Sequence, residues 1–319
     1  MELPLIGWIG IMILSMAVLV KAADYFTTYS EKIGLILGIS PFVIGATIVG
    51  VGTSMPELIT SIISVYKGEP GIVSGNVVGS NITNILLIIG VGAIISKNTL
   101  SNKKLDENLD IPILAFITIF LLLMLRDGTF GFTEGIIMIV AYVIYTAYLI
   151  HDHRTEKAIE AKVKEDTAEK SKIKWHLPVI IIVSGFFIYI GAEWTIESVI
   201  KISEMLNIGT AIIAGTVVAL GTSLPELVVS IQAARRKQAG MILGNIFGSN
   251  IFNSTIVMGV PALMTDLPVP APVLAVGIPF LIGATMLLIY SSMSKHISSF
   301  EGALYVLMYS YFIIEFVST

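Results

Sequence analysis

A chain of 319 residues that is 55% apolar and only 13% charged, with a mean hydropathy of +0.88, is far too apolar for a water-soluble domain of this length. It reads as an integral membrane protein. The absence of cysteine excludes disulfides, thiol chemistry and cysteine metal sites; the net charge of −4 says little, and no nucleic-acid partner is expected.

Apolar runs of about 17 to 25 residues, the length of helix that crosses the hydrocarbon core, recur along the chain. In order they cover 3–24, 41–66, 71–95, 109–125, 131–150, 177–199, 208–233, 239–264, 270–291 and 297–317. The expected fold class is an all-α polytopic membrane protein with ten transmembrane helices. No Lys or Arg precedes the first run and no small-residue cleavage signal follows it, so it is expected to remain as a span. The longest polar stretch, His151 to His176, is charged on all sides, with Glu160 and Lys164 at helical spacing, and reads as a solvated linker. The chain then divides into 1–152, a linker at 153–174, and 175–319.

Lys and Arg in short loops stay on the cytoplasmic side. With the N-terminus outside, 15 such residues fall in inside loops and three, Lys67, Arg126 and Lys201, in outside loops. This predicts a multi-pass protein of the plasma membrane with both termini extracellular and the linker cytoplasmic. The linker is too short for a calcium-sensing domain, and no regulatory partner is expected beyond the lipid bilayer.

Inside the apolar runs lies a polar cassette present twice. Residues 45–84 run from "GATIVGVGTSMPELITS" to "GNVVGSNITN", and a displacement of 169 gives 214–253, from "AGTVVALGTSLPELVVS" to "GNIFGSNIFN", with 18 of 40 positions identical and no gap. Each half holds an odd number of spans, five, so the second copy enters the membrane with the opposite orientation. The expected architecture is two inverted five-helix repeats, an arrangement that builds a midplane site between broken helices.

Each cassette buries one carboxylate, Glu57 or Glu226, in a membrane-length run. A charge there costs about 2.5 to 3.5 kcal/mol on insertion scales and persists where something binds it. In "GTSMPEL" and "GTSLPEL", Pro56 and Pro225 offer no N–H to the carbonyls of Gly52 and Gly221. Free carbonyls, two hydroxyls (Thr53 and Ser54, or Thr222 and Ser223) and one carboxylate then lie within about one turn. These are hard oxygen ligands suited to calcium or sodium rather than to transition metals. The second motif adds Ser80, Asn81 and Asn84, and Ser249, Asn250 and Asn253, with Ser80 and Asn84 four apart on one helix face, as are Ser249 and Asn253. Two carboxylates facing one another form a −2 centre that one divalent cation neutralises.

The paired "GTSxPEL" and "GNxxGSN" motifs resemble the alpha repeats of the cation/calcium exchanger superfamily, especially prokaryotic sodium/calcium exchangers. The resemblance implies a secondary active antiporter that exchanges Na+ for Ca2+ by alternating access, with no cofactor. It implies calcium ligation by Glu57, Glu226, Thr53 and Thr222, and sodium sites completed by Ser54, Ser80, Ser223, Ser249 and the carbonyls of Gly50 and Ala219, flanked by Asn84 and Asn253. It also implies that spans 1 and 6 form the gate and that three sodium ions exchange for one calcium. Some members carry Asp at a flanking position where this chain has Asn at both 84 and 253, which argues against potassium cotransport.

Other readings make distinct expectations. A proton/calcium antiporter on the same scaffold would not need the hydroxyl-rich "GTS" before each Pro-Glu. A passive cation channel would need no counter-ion. An intramembrane hydrolase would need an activated nucleophile, and no His or Cys lies in a predicted span near the Glu pair, so no enzyme activity is expected. Asn81 and Asn250 read equally as ligands or as helix-packing residues. Gly75, Gly79, Gly244 and Gly248 read as close-packing contacts.

Overall fold

The computed structural model describes residues 3–36, 50–96, 100–101, 110–160, 175–235, 239–293 and 296–319. Residues 45–49 of the first cassette therefore lie outside the described residues. The first half comprises α1 (Leu5–Ile36), α2 (Gly50–Thr53), α3 (Met55–Tyr66), α4 (Gly71–Ile82), a π-helical turn (Thr83–Ile88), α5 (Ile89–Ile95), β1 (Leu100–Ser101), α6 (Asp110–Leu125), β2 (Thr129–Phe130) and α7 (Phe132–Glu160). The second half comprises α8 (His176–Leu206), α9 (Thr210–Ile213), a π turn (Ala214–Val218), α10 (Ala219–Thr222), α11 (Leu224–Arg235), α12 (Ala239–Phe252), a π turn (Asn253–Val257) and α13 (Met258–Ala262). It continues through β3 (Leu267–Pro268), a π turn (Val273–Gly277), α14 (Ile278–Met293), β4 (His296–Ile297) and α15 (Ser299–Val317).

The protein is a helical, polytopic membrane protein. Among the described residues seven helical segments are long and apolar enough to cross a bilayer, and two shorter apolar helices, Met55–Tyr66 and Ile111–Leu125, accompany them. Several helices run past the lengths that hydropathy sets. α1 continues to Ile36 instead of ending near residue 24, and α7 continues to Glu160 into the stretch read as linker. In α7 the added stretch includes the good helix formers Arg154, Glu156, Lys157, Ala158 and Glu160, which extend a helix beyond the hydrocarbon at little cost, so hydropathy there marks the membrane and not the helix end.

The helices with the most buried faces lie innermost. Of the best 18-residue window in Gly71–Ile95, 78% is buried, against 28% for Leu5–Ser30 and for Ser299–Val317. The central segment is thus wrapped by protein on nearly every side, while α1 and α15 keep a lipid face.

Two small antiparallel ladders join the halves. β1 pairs with β4, placing Leu100 opposite Ile297, and β2 pairs with β3, placing Phe130 opposite Leu267. β1 and β3 follow corresponding helices of the two halves, as do β2 and β4, so the same clasp is made twice, each time with one strand from each half.

Close helix crossings repeat in the same way. A β-carbon at Gly90 would come within 2.8 Å of the Gly302 carbonyl oxygen, and one at Gly259 within 2.9 Å of the Gly135 carbonyl oxygen. Backbones this close leave no room for a side chain. Gly302→Val is expected to cost about 1 to 3 kcal/mol through overpacking, seen as a lower melting temperature with the helix content of the folded state unchanged.

Candidate cation site

Both helices that carry the Pro-Glu motifs are broken at the serine before it. Ser54 (φ −90°, ψ 8°) separates α2 from α3, and Ser223 (φ −82°, ψ 6°) separates α10 from α11. These angles lie in the bridge region, where helical geometry lapses for one residue. The backbone resumes at once: the Ser54 N–H reaches the Gly50 carbonyl at 3.3 Å and the Ser223 N–H the Ala219 carbonyl at 3.1 Å. Pro56 then stands in the first turn of α3, where a missing N–H costs nothing. The break is therefore one residue wide and sits before the proline.

Each break aims its serine at the glutamate of the other copy. Ser54 Oγ donates to Glu226 Oε1 at 3.0 Å, and Ser223 Oγ donates to Glu57 Oε1 at 3.2 Å. Ser249 Oγ adds a second donor to Glu226 Oε1 at 3.2 Å. Glu57 and Glu226 are both 0% exposed. On each, Oε2 has no hydrogen-bond partner within the protein.

The remaining expected residues surround this pair. Thr53 Oγ1 donates to the Gly50 carbonyl at 3.3 Å and lies 3.4 Å from Ser249 Oγ, while Thr222 Oγ1 donates to the Ala219 carbonyl at 3.4 Å. Ser80 Oγ donates to the same Ala219 carbonyl at 3.5 Å. Asn84 Nδ2 donates to Asn250 Oδ1 at 2.9 Å, whereas both side-chain polar atoms of Asn253 lack a protein partner. Asn84 and Asn253 stand at the start of π turns, each following regular α-helix.

Asn81 and Asn250 hydrogen-bond across the two copies, while Asn81 Oδ1 has no protein partner. Asn250 Nδ2 donates to the Asn81 carbonyl at 3.3 Å, and Asn81 Nδ2 donates to Ser254 Oγ at 2.8 Å and to the Asn250 carbonyl at 3.5 Å. Sequence reasoning passed over Asn76 and Asn245, whose amides reach the backbone carbonyls of Glu57 at 3.4 Å and Glu226 at 3.5 Å. Their identity in both copies of "GN" was the available signal.

α1 crosses both breaks. A β-carbon at Gly52 would lie 2.5 Å from Thr27 Oγ1, and one at Gly221 would lie 2.0 Å from Met16 Cε. α1 is in turn joined to α8 by Ser15 Oγ and Thr195 Oγ1, 2.9 Å apart and buried. Asp24, on α1, pairs with Lys21 at 2.8 Å on an exposed face.

The centre is thus rich in oxygen acceptors. Among the described residues no group of three or more His, Cys, Asp or Glu comes together, so its charge rests on two carboxylates. Buried carboxylate oxygens left unpaired by the protein are costly, and such oxygens are of the type that hard cations favour as ligands.

Residues 7–151 and 176–317 match the profile of the sodium/calcium exchanger protein family. The chain belongs to that family. This exchanger is 34% identical over 305 residues to an uncharacterized membrane protein of Methanocaldococcus jannaschii, covering 96% of each chain. It is 32% identical to the sodium/calcium exchanger MaX1 of Methanosarcina acetivorans, over 95% of this chain and 97% of that one. Among solved structures it resembles the sodium-calcium exchanger NCX_Mj soaked with Na+ and Sr2+, with a TM-score of 0.69, 32% identity, and 98% and 99% of the two chains covered. The exchanger is accordingly a membrane transporter of cations, and ions are its substrates.

Proposed function

We propose that the protein is a secondary active antiporter that exchanges Na+ for Ca2+ at one midplane site, built by two inverted five-helix repeats of ten spans in all. The observation that carries this reading is the reciprocal contact in which Ser54 meets Glu226 and Ser223 meets Glu57. Neither repeat completes the site alone, and each supplies one carboxylate and one break.

In this reading Glu57, Glu226, Thr53 and Thr222 hold calcium. Ser54, Ser80, Ser223, Ser249 and the carbonyls of Gly50 and Ala219 complete sodium sites, with Asn84 and Asn253 as neutral neighbours. Alternating access follows from charge. A vacant pair of carboxylates is poorly solvated in low dielectric and resists closure, whereas one Ca2+, or the sodium ions that replace it, neutralises the pair and lets the protein occlude. α1 and α8 form the moving gate, since α1 lies over both breaks. The protein sits in the plasma membrane with both termini outside, the 153–174 segment in the cytoplasm, and the repeats spanning 1–152 and 175–319.

Calcium flux in proteoliposomes tests the counter-ion. A sodium gradient alone is expected to drive calcium uptake, a pH gradient alone to drive none, and an imposed voltage to change the rate, as three Na+ for one Ca2+ requires. Uptake driven by the pH gradient alone would mark a proton/calcium antiporter, and uptake without any trans counter-ion a channel. Added potassium is expected to leave the sodium-driven rate unchanged, because two carboxylates and two flanking asparagines provide no third charge.

A further inference from the structure

α1 and α8 pack along most of their length, yet on one side they part to leave two apolar cavities of about 300 and 430 Å³ that meet at Val18. Leu14 and Trp194 line the smaller one, and Val183, Phe187 and Lys21 the other. The twelve residues from Leu14 to Tyr25 cover about 16 Å of the groove at helical rise. That is close to half of a hydrocarbon core of about 30 Å, the depth of a single leaflet.

The polar end carries charge of both signs. Lys21 Nζ and Asp24 Oδ2 are 2.8 Å apart, with 65% and 53% of their side chains exposed. One of the three ammonium donors is used on Asp24, and the carboxylate keeps its second oxygen. Lys21 also stands 5.0 Å from the ring of Tyr25, whose body is suited to headgroup depth. A partner that fits must offer an anion to Lys21, a hydrogen-bonding cation to Asp24, and one leaflet's length of hydrocarbon to the groove.

We infer that this groove binds a phospholipid whose headgroup carries a primary ammonium, of the phosphatidylethanolamine type. Its phosphate accepts from Lys21, its ammonium donates to Asp24, and one acyl chain lies between α1 and α8 as far as Trp194. A choline headgroup has no N–H for Asp24, and a glycerol headgroup has no cation, so both bind less well.

The chain's three tryptophans make this measurable. In a W8F/W175F background that retains calcium flux, Trp194 is the sole tryptophan. It is observed in vesicles of equal parts phosphatidylethanolamine and phosphatidylcholine, with bromine quenchers on the acyl chains of one lipid or the other. Quenching is expected to report about threefold enrichment of the ethanolamine lipid, the scale of one exposed ion-pair contact. Lys21→Ala and Asp24→Ala, at exposed positions, are each expected to bring the ratio to one. Equal quenching in the parent protein, or a preference that survives both substitutions, overturns the inference. So does equal enrichment of brominated phosphatidylglycerol in its place, which would show attraction to Lys21 alone.

Discussion

Glu57→Gln is expected to reduce sodium-driven calcium uptake by at least about 100-fold, and Glu226→Gln to do the same. Each substitution keeps the volume and removes one of two charges, so calcium meets a site of charge −1 and loses an ionic ligand, and 100-fold corresponds to about 2.7 kcal/mol, within what loss of one partner of a buried ion pair costs. Each carboxylate accepts from a serine of the other repeat, so losing either affects the shared centre.

The same substitution is not expected to unfold the protein. A buried amide is less costly than a buried carboxylate without a partner, so either variant should melt no lower than the parent in cation-free buffer. Ligand that binds only the folded state raises its melting temperature. Calcium should therefore raise the melting temperature of the parent and leave both variants where they are. Unchanged flux in either variant would sink the assignment of the site.

Gly79→Ala is expected to be the most damaging single-methyl change. Its β-carbon would fall 2.3 Å from the Gly215 carbonyl oxygen and 2.8 Å from Gly215 Cα, which are backbone atoms that no side-chain rotation can move. Gly75 meets Ala211 in the same way, one turn earlier on α4. Helix α4 must then tilt away from the π turn at Ala214–Val218, costing about 1 to 3 kcal/mol or more. The tilt also pulls Ser80 from the Ala219 carbonyl it reaches at 3.5 Å. Both melting temperature and calcium affinity should fall, and a substitution that left both intact would show that this crossing is looser than its geometry.

These contacts also mark what the sequence could and could not disclose. A cassette displaced by 169 residues, with a glutamate in each copy, is enough to place two carboxylates in one protein interior. The serine breaks are less visible, because proline advertises a lost hydrogen bond while the residue that takes up bridge geometry stands two positions earlier. Gly75 and Gly79 behave as close-packing residues. Among the described residues nothing approaches Gly244. Asn81 and Asn250 read equally as ligands or as packing residues in the sequence, and their hydrogen bonds across the repeats become visible only in the structure. The paired strands leave no periodic trace, being two residues long.

Those strands bear on how the chain is made. Leu100 waits for Ile297, and Thr129 for Pro268, before either clasp can close. Until then a nascent first half in the bilayer holds an unpaired serine break and a glutamate with no opposing wall. Contacts of such long sequence separation form late and slowly. The final segment, α15, both follows β4 and packs on α5 through Gly302 and Gly90. The β1–β4 clasp and the α5–α15 crossing thus both wait for residues 296–317, and an exchanger interrupted before residue 296 lacks both contacts.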